Sequence, residues 1–146
     1  MLSHNVKIIK VKDQANAATT DVNSDGVDMW QDGGFENVLF LTSFAHGAAN
    51  NLIRVQASDD NGVADDWSDI AGGEIDLNGD TSAEDQWIDV QRPIKRYIRC
   101  VASRGTPSAM GDIWAILYRG RRLPVSNVLA GTIRGKQLSD AVEGTK

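Results

Sequence analysis

With 146 residues, 41% of them hydrophobic, 24% charged and a net charge of −5, the chain suits one soluble domain, residues 1–146, that needs no disulfide or metal to hold a core. No apolar run approaches the roughly 20 residues that span a bilayer. A lone cysteine, Cys100, excludes an internal disulfide, and the N-terminus lacks the apolar segment of a secretory signal, so a membrane-free chain made in a reducing, cytosolic compartment is expected.

Val6–Lys12 is the first β-type run, within an N-terminal arm of about residues 1–12. Asp13–Ala18 is small and polar and predicts a loop. Thr19–Asn23 and Val27–Trp30 read as strand pieces around the turn Ser24-Asp25-Gly26, with a second turn at Asp32-Gly33-Gly34. Asn37–Phe44 is apolar on both faces, the pattern of a strand covered on each side. Asn51–Ser58 alternates, with Ile53, Val55 and Ala57 directed inward and Leu52, Arg54 and Gln56 outward.

From Asp59 to Asp85 the sequence is acidic and reads as a long loop pinned by Trp67, Ile70, Ile75 and Leu77. Trp87–Val90 and Tyr97–Ala102 are strands joined across an Arg92-Pro93 corner, since proline has no N–H to give a ladder. In the second of them Ile98, Cys100 and Ala102 face the core while Tyr97, Arg99 and Val101 face away. Arg104–Ser108 is a turn, and Asp112–Tyr118 is an interior strand. The rest, about residues 119–146, is an extended tail with at most a short helical turn near Leu138–Val142. Seven or eight short strands without helical periodicity predict an all-β fold, an antiparallel β-sandwich or jelly-roll-like barrel with extended termini.

Charge is segregated along the chain. Residues 1–12 hold three lysines and no acid, residues 13–90 hold 17 acids against Arg54 alone, and residues 91–146 hold 11 bases against three acids. Such asymmetry predicts acidic loops paired with basic strands, or docking between oppositely charged surfaces. A nucleic-acid partner is not expected, because the chain is acidic overall and carries no binding motif.

Motifs for chemistry are weak. Asp21-Val22-Asn23-Ser24-Asp25-Gly26, with Asp32 at the twelfth position, imitates a calcium loop, and Asp76-Leu77-Asn78-Gly79-Asp80 is a shorter version. Asp, Asn and Gly serve ordinary turns equally well, and Asp32 stands where the motif wants Glu. His4, His46 and Cys100 lack zinc spacing. No nucleophile elbow or phosphate loop occurs, and the paired carboxylates lie in loops with nothing to raise a pKa. The expectation is no catalytic residue, no cofactor and no metal. Four tryptophans, Trp30, Trp67, Trp87 and Trp114, suggest a sugar-stacking platform as an alternative; otherwise Trp87 and Trp114 fill the core and the other two anchor loops.

Several segments together resemble a family of tailed-bacteriophage capsid decoration proteins, which cement or stabilise the head. They are Val27-Asp28-Met29, Phe35 with Val38-Leu39-Phe40, Ile53 with Val55-Gln56, and the segment from Asp89-Val90 through Arg92-Pro93 to Lys95-Arg96-Tyr97-Ile98-Arg99. Ala115-Ile116-Leu117-Tyr118 with Arg122 and Pro124 completes the likeness, over roughly residues 6–126. The Asp59–Asp85 stretch has no counterpart. The resemblance implies a non-enzymatic virion protein on the capsid exterior, a homotrimer that binds the major capsid protein. Capsid or intersubunit contacts then fall to Lys7, Lys10, Arg92, Lys95, Arg96, Arg99, Arg119, Arg121 and Arg122. Alternatives are a carbohydrate-binding β-sandwich, with or without calcium, and a head–tail joining or tail subunit.

Overall fold

A computed structural model describes residues 2–77, 79, 82–123, 125 and 127. Eleven strands follow in chain order: β1 (Val6–Lys12), β2 (Ala15–Ala18), β3 (Val22–Asn23), β4 (Val27–Asp28), β5 (Phe35–Phe44), β6 (Asn51–Ser58), β7 (Ser68–Asp76), β8 (Glu84–Gln91), β9 (Tyr97–Arg104), β10 (Ser108–Met110) and β11 (Ile113–Gly120). Single 3-10 turns at Leu2–His4 and Gln31–Gly33 are the helical elements among the described residues.

All pairings are antiparallel. The first sheet runs β1-β11-β5-β8, with β10 and β2 continuing it beside the end of β5. The second runs β3-β9-β6-β7, and β4 pairs the same edge of β9 as β3 does. The sheets curl into a half-barrel. On one side the Asp25 N–H donates to the Val11 carbonyl at 3.0 Å, tying the β3–β4 loop to the end of β1.

The core lies between the sheets and follows the period-2 rule. Val38, Phe40 and Phe44 from β5 and Ile113, Ala115 and Leu117 from β11 meet Ile53 and Val55 from β6 and Ile98, Cys100 and Ala102 from β9. Most buried polar groups find partners on distant segments, while Gln86 Oε1 accepts and Arg54 Nε donates no hydrogen bond among the described residues. Ser24 Oγ accepts the Cys100 N–H at 3.0 Å, and Asn51 Oδ1 accepts the Thr106 N–H at 2.9 Å. Arg104, only 3% exposed, donates to the carbonyls of Asn16 (2.7 Å), Thr20 (2.8 Å) and Ser108 (3.0 Å), clamping β2 and β10 to the end of β9.

Some expectations change. Ala15–Ala18 is a strand and not a loop, because β10 offers it a ladder. The acidic stretch after Asp59 contains β7, an edge strand whose side chains are mostly exposed, which explains why no apolar period marked it. Only Val22–Asn23 of the Thr19–Asn23 segment pairs. The strands before and after the Arg92-Pro93 corner belong to different sheets, so the corner is a crossing between layers. Val101 lies on the outward side of β9 yet is fully buried. The expected turn at Leu138–Val142 and most of the tail lie outside the described residues, although Asn127 is placed: its side chain accepts the Ile8 N–H (2.8 Å) and donates to the Val6 carbonyl (2.9 Å) on the open edge of β1.

Candidate functional site

The outward positions of the first sheet fall in register. Ile8, Ile116 and Leu39 stand side by side across β1, β11 and β5, with Asp89 next on β8. One step along, the row is Lys10, Trp114, Leu41 and Trp87. Six apolar side chains thus form a continuous patch on the side away from the core. Trp87 is 60% exposed, Ile8 41% and Leu41 38%. Single exposed apolar residues are ordinary, whereas a contiguous patch with a polar border calls for an explanation. The doubly apolar reading of Asn37–Phe44 was right about the residues, but the described chain covers only one of the two faces.

The patch has an acidic end and a cationic end. Asp85 and Asp112 flank Leu41, Thr42, Ser43 and Trp114 around an open cleft of about 330 Å³. Asp112 accepts the Gln14 N–H at 2.8 Å and stands 3.8 Å from Lys10 Nζ, while Lys10 binds Asp13 at 2.7 Å. At the other end Arg92 (77% side-chain exposure) and Arg119 (64%) share Glu36 loosely, at 4.0 and 3.9 Å, beside exposed Arg121 and Arg122. Between the two ends Tyr118 donates its hydroxyl to Asp89 at 2.6 Å, and burial with this bond raises the phenol pKa.

The nine cations proposed for contacts therefore divide. Lys7 bonds Asp32, Lys10 bonds Asp13 and Lys95 bonds Asp65 at 2.6 Å. Arg96 grips Asp28 with two bonds of 2.9 and 2.7 Å, which holds that carboxyl below its ordinary pKa, and lies over Trp30 (4.9 Å) and Tyr97 (5.0 Å). Arg99 donates twice to Gln56 Oε1 and covers Trp67 at 4.5 Å. These five serve their own fold. Arg92, Arg119, Arg121 and Arg122 remain turned to solvent at one end of the sheet.

The acidic motifs are spent in the same way. Asp21 faces Arg54 (3.3 Å) and Asp32 faces Lys7, so the first and twelfth positions of the calcium-like loop serve separate ion pairs. Among the described residues no group of three or more His, Cys, Asp or Glu gathers to hold a metal. The Asp76–Asp80 imitation lies partly outside the described residues. Asp60 accepts the N–H groups of Val63, Ala64 and Asp65, and these outweigh desolvation to lower its pKa. Cys100 is fully buried, and burial pushes its thiol to about 12, which silences it as a nucleophile. Nor do the tryptophans make one platform: Trp87 is not core, and Trp30 and Trp67 each lie under a guanidinium.

The fold and site define an all-β half-barrel sandwich with a charge-bordered sheet face that the described residues leave uncovered. No protein-family profile matches the sequence, and no curated protein matches it. Solved structures do match. The SPBc2 prophage-derived protein YomS superposes with a TM-score of 0.46 at 14% identity, covering 77% of this chain and 92% of that one. The PBSX exported protein XepA gives 0.52 at 16% identity, over 95% of this chain and 45% of that one. The chain therefore spans less than half of XepA, and what it shares with XepA is the fold.

Proposed function

We propose that this chain is a non-enzymatic structural subunit of a tailed-phage virion, bound as a homotrimer to the outer capsid, where it stabilises the major capsid protein lattice. The observation that carries this reading is the apolar patch of Ile8, Leu39, Leu41, Trp87, Trp114 and Ile116, which the described residues leave uncovered on a sheet whose other face is a packed core. Such a face works by contact. The fold shared with XepA, described as an exported protein of PBSX, is consistent with a phage origin, as are the decoration-family segments in the sequence.

The physics of the role is simple. A subunit that binds the mature shell better than its precursor stabilises that shell by mass action. Many equivalent weak contacts on a lattice add to high avidity. The exposed cations Arg92, Arg119, Arg121 and Arg122 set register and association rate more than affinity. The test is co-sedimentation of the purified protein with capsids assembled without it, alongside a variant in which Arg92, Arg121 and Arg122 are changed to Glu. Saturable binding that the variant loses supports the role. A monomer that ignores capsids and is retained on a glycan column overturns it in favour of a sugar-binding module, and a six- or twelve-fold ring overturns it in favour of a head–tail joint.

A further inference from the structure

The two ends of β8 carry features that complement one another. Beside its first residues lies the acidic cleft, about 330 Å³, with apolar walls of Leu41 and Trp114 and a rim of Asp85 and Asp112. Asp85 forms no ion pair among the described residues, and Lys10 offsets only part of the charge of Asp13 and Asp112. After β8 comes the corner Arg92-Pro93-Ile94-Lys95. Ile94 is fully exposed at its tip, at 102%.

This tip is rigid and strained. Arg92 is held at φ +46°, the left-handed region that a long side chain seldom adopts. Its N–H donates to the Glu36 carbonyl at 2.8 Å, and Lys95–Asp65 and Arg96–Asp28 pin the far side. Local strain spent to hold an aliphatic residue wholly in water needs a reason, and a binding knob supplies one.

From Asp85 to Gln91 the strand runs six residues, roughly 20 Å, so no copy inserts its own knob into its own cleft. A second copy has both halves of the match: an apolar tip beside Arg92 and Arg121, and an apolar hollow rimmed by Asp85 and Asp112. We propose that the Ile94 corner of one copy seats in the Leu41–Trp114 cleft of the next. This rests on the reading of the open face as an assembly surface and names its partner. The contact joins two different surfaces, so it propagates head to tail until rotation closes a ring, the geometry a homotrimer requires.

The test uses two variants of the full chain, Ile94→Asp without a knob and Leu41→Arg with a blocked cleft. Both positions are exposed, and circular dichroism verifies folding; Asp85→Arg replaces Leu41→Arg if the latter misfolds. By sedimentation velocity each variant alone loses self-association about 30-fold or more. Mixed in equal amounts they form a one-to-one dimer and nothing larger, because the one working knob and the one working cleft are then used up. A wild-type chain that stays monomeric, an Ile94→Asp variant that assembles as the wild type does, or a mixture without dimer overturns the inference. Retained Ile94→Asp dimers with monomeric Leu41→Arg identify a two-fold face-to-face contact and overturn it too. Capsid occupancy is read separately: a monomer that still coats capsids sinks this contact and leaves the virion role standing, whereas a head-to-tail oligomer that ignores capsids does the reverse.

Discussion

Replacing Trp87 with Thr keeps a strand-favouring residue on β8 and removes the largest exposed part of the patch. An indole buries about 150–250 Å² when covered, and 60% of Trp87 is still open, which leaves roughly 130 Å² for a partner. At about 25 cal/mol per Å² that amounts to ~3 kcal/mol of association, or about 100-fold in affinity. The covered remainder, roughly 90 Å², costs the isolated fold ~2 kcal/mol, within what a domain of this size survives. Titration by sedimentation equilibrium, and onto capsids, reads the first number; urea unfolding reads the second. Both association midpoints within about 3-fold of wild type, with the fold intact, would show that the patch is not an assembly surface.

Three other outcomes are expected. Arg104→Met strands the carbonyls of Asn16, Thr20 and Ser108 without their donor and lowers stability by about 3–5 kcal/mol in urea unfolding; a loss under about 1 kcal/mol would remove the clamp from the account. Arg96→Gln frees the Asp28 carboxyl, whose folded pKa the Arg96 bond depresses. The stability gap between wild type and variant is therefore full at neutral pH and closes as pH falls below about 4; a gap unchanged in acid would contradict the assignment. Cys100, raised to about 12, stays unreactive toward a disulfide reagent at pH 8 until the domain opens. Because the unfolded thiol ionises near 8.5, stability also declines as pH climbs past that value. Labelling at the rate of a free thiol in the native protein would refute the burial.

How much of this was legible depended on whether a strand carries its own signal. Asn51–Ser58 was readable in its bounds because β6 is central and its sequence alternates over Leu52–Ala57, although Gln56, expected outward, is buried too. β7 was not, since an edge strand bearing Asp69, Gly72, Gly73, Glu74 and Asp76 looks like any acidic loop until β6 supplies its partner. Ala15–Ala18 was hidden for the same reason. Arg104 read as a turn residue because a buried guanidinium has no pattern; only the meeting of three distant carbonyls explains it. The basic segment was visible as a unit, but which cations are spent inside the fold was not, because Asp28, Asp65 and Gln56 reach Arg96, Lys95 and Arg99 only once the chain has folded. Likewise the apolar residues of the open face were all in view, and only the three-dimensional layering showed that the described residues cover one side and not the other.

Asn127 has a last consequence. By occupying the Ile8 amide and the Val6 carbonyl it impersonates one peptide of a neighbouring strand, so a stray edge that tries to lengthen the sheet there must first evict it. A subunit stoppered in this manner offers a neighbour side chains rather than open backbone at that place, a safeguard against fibre growth wherever many identical copies crowd together.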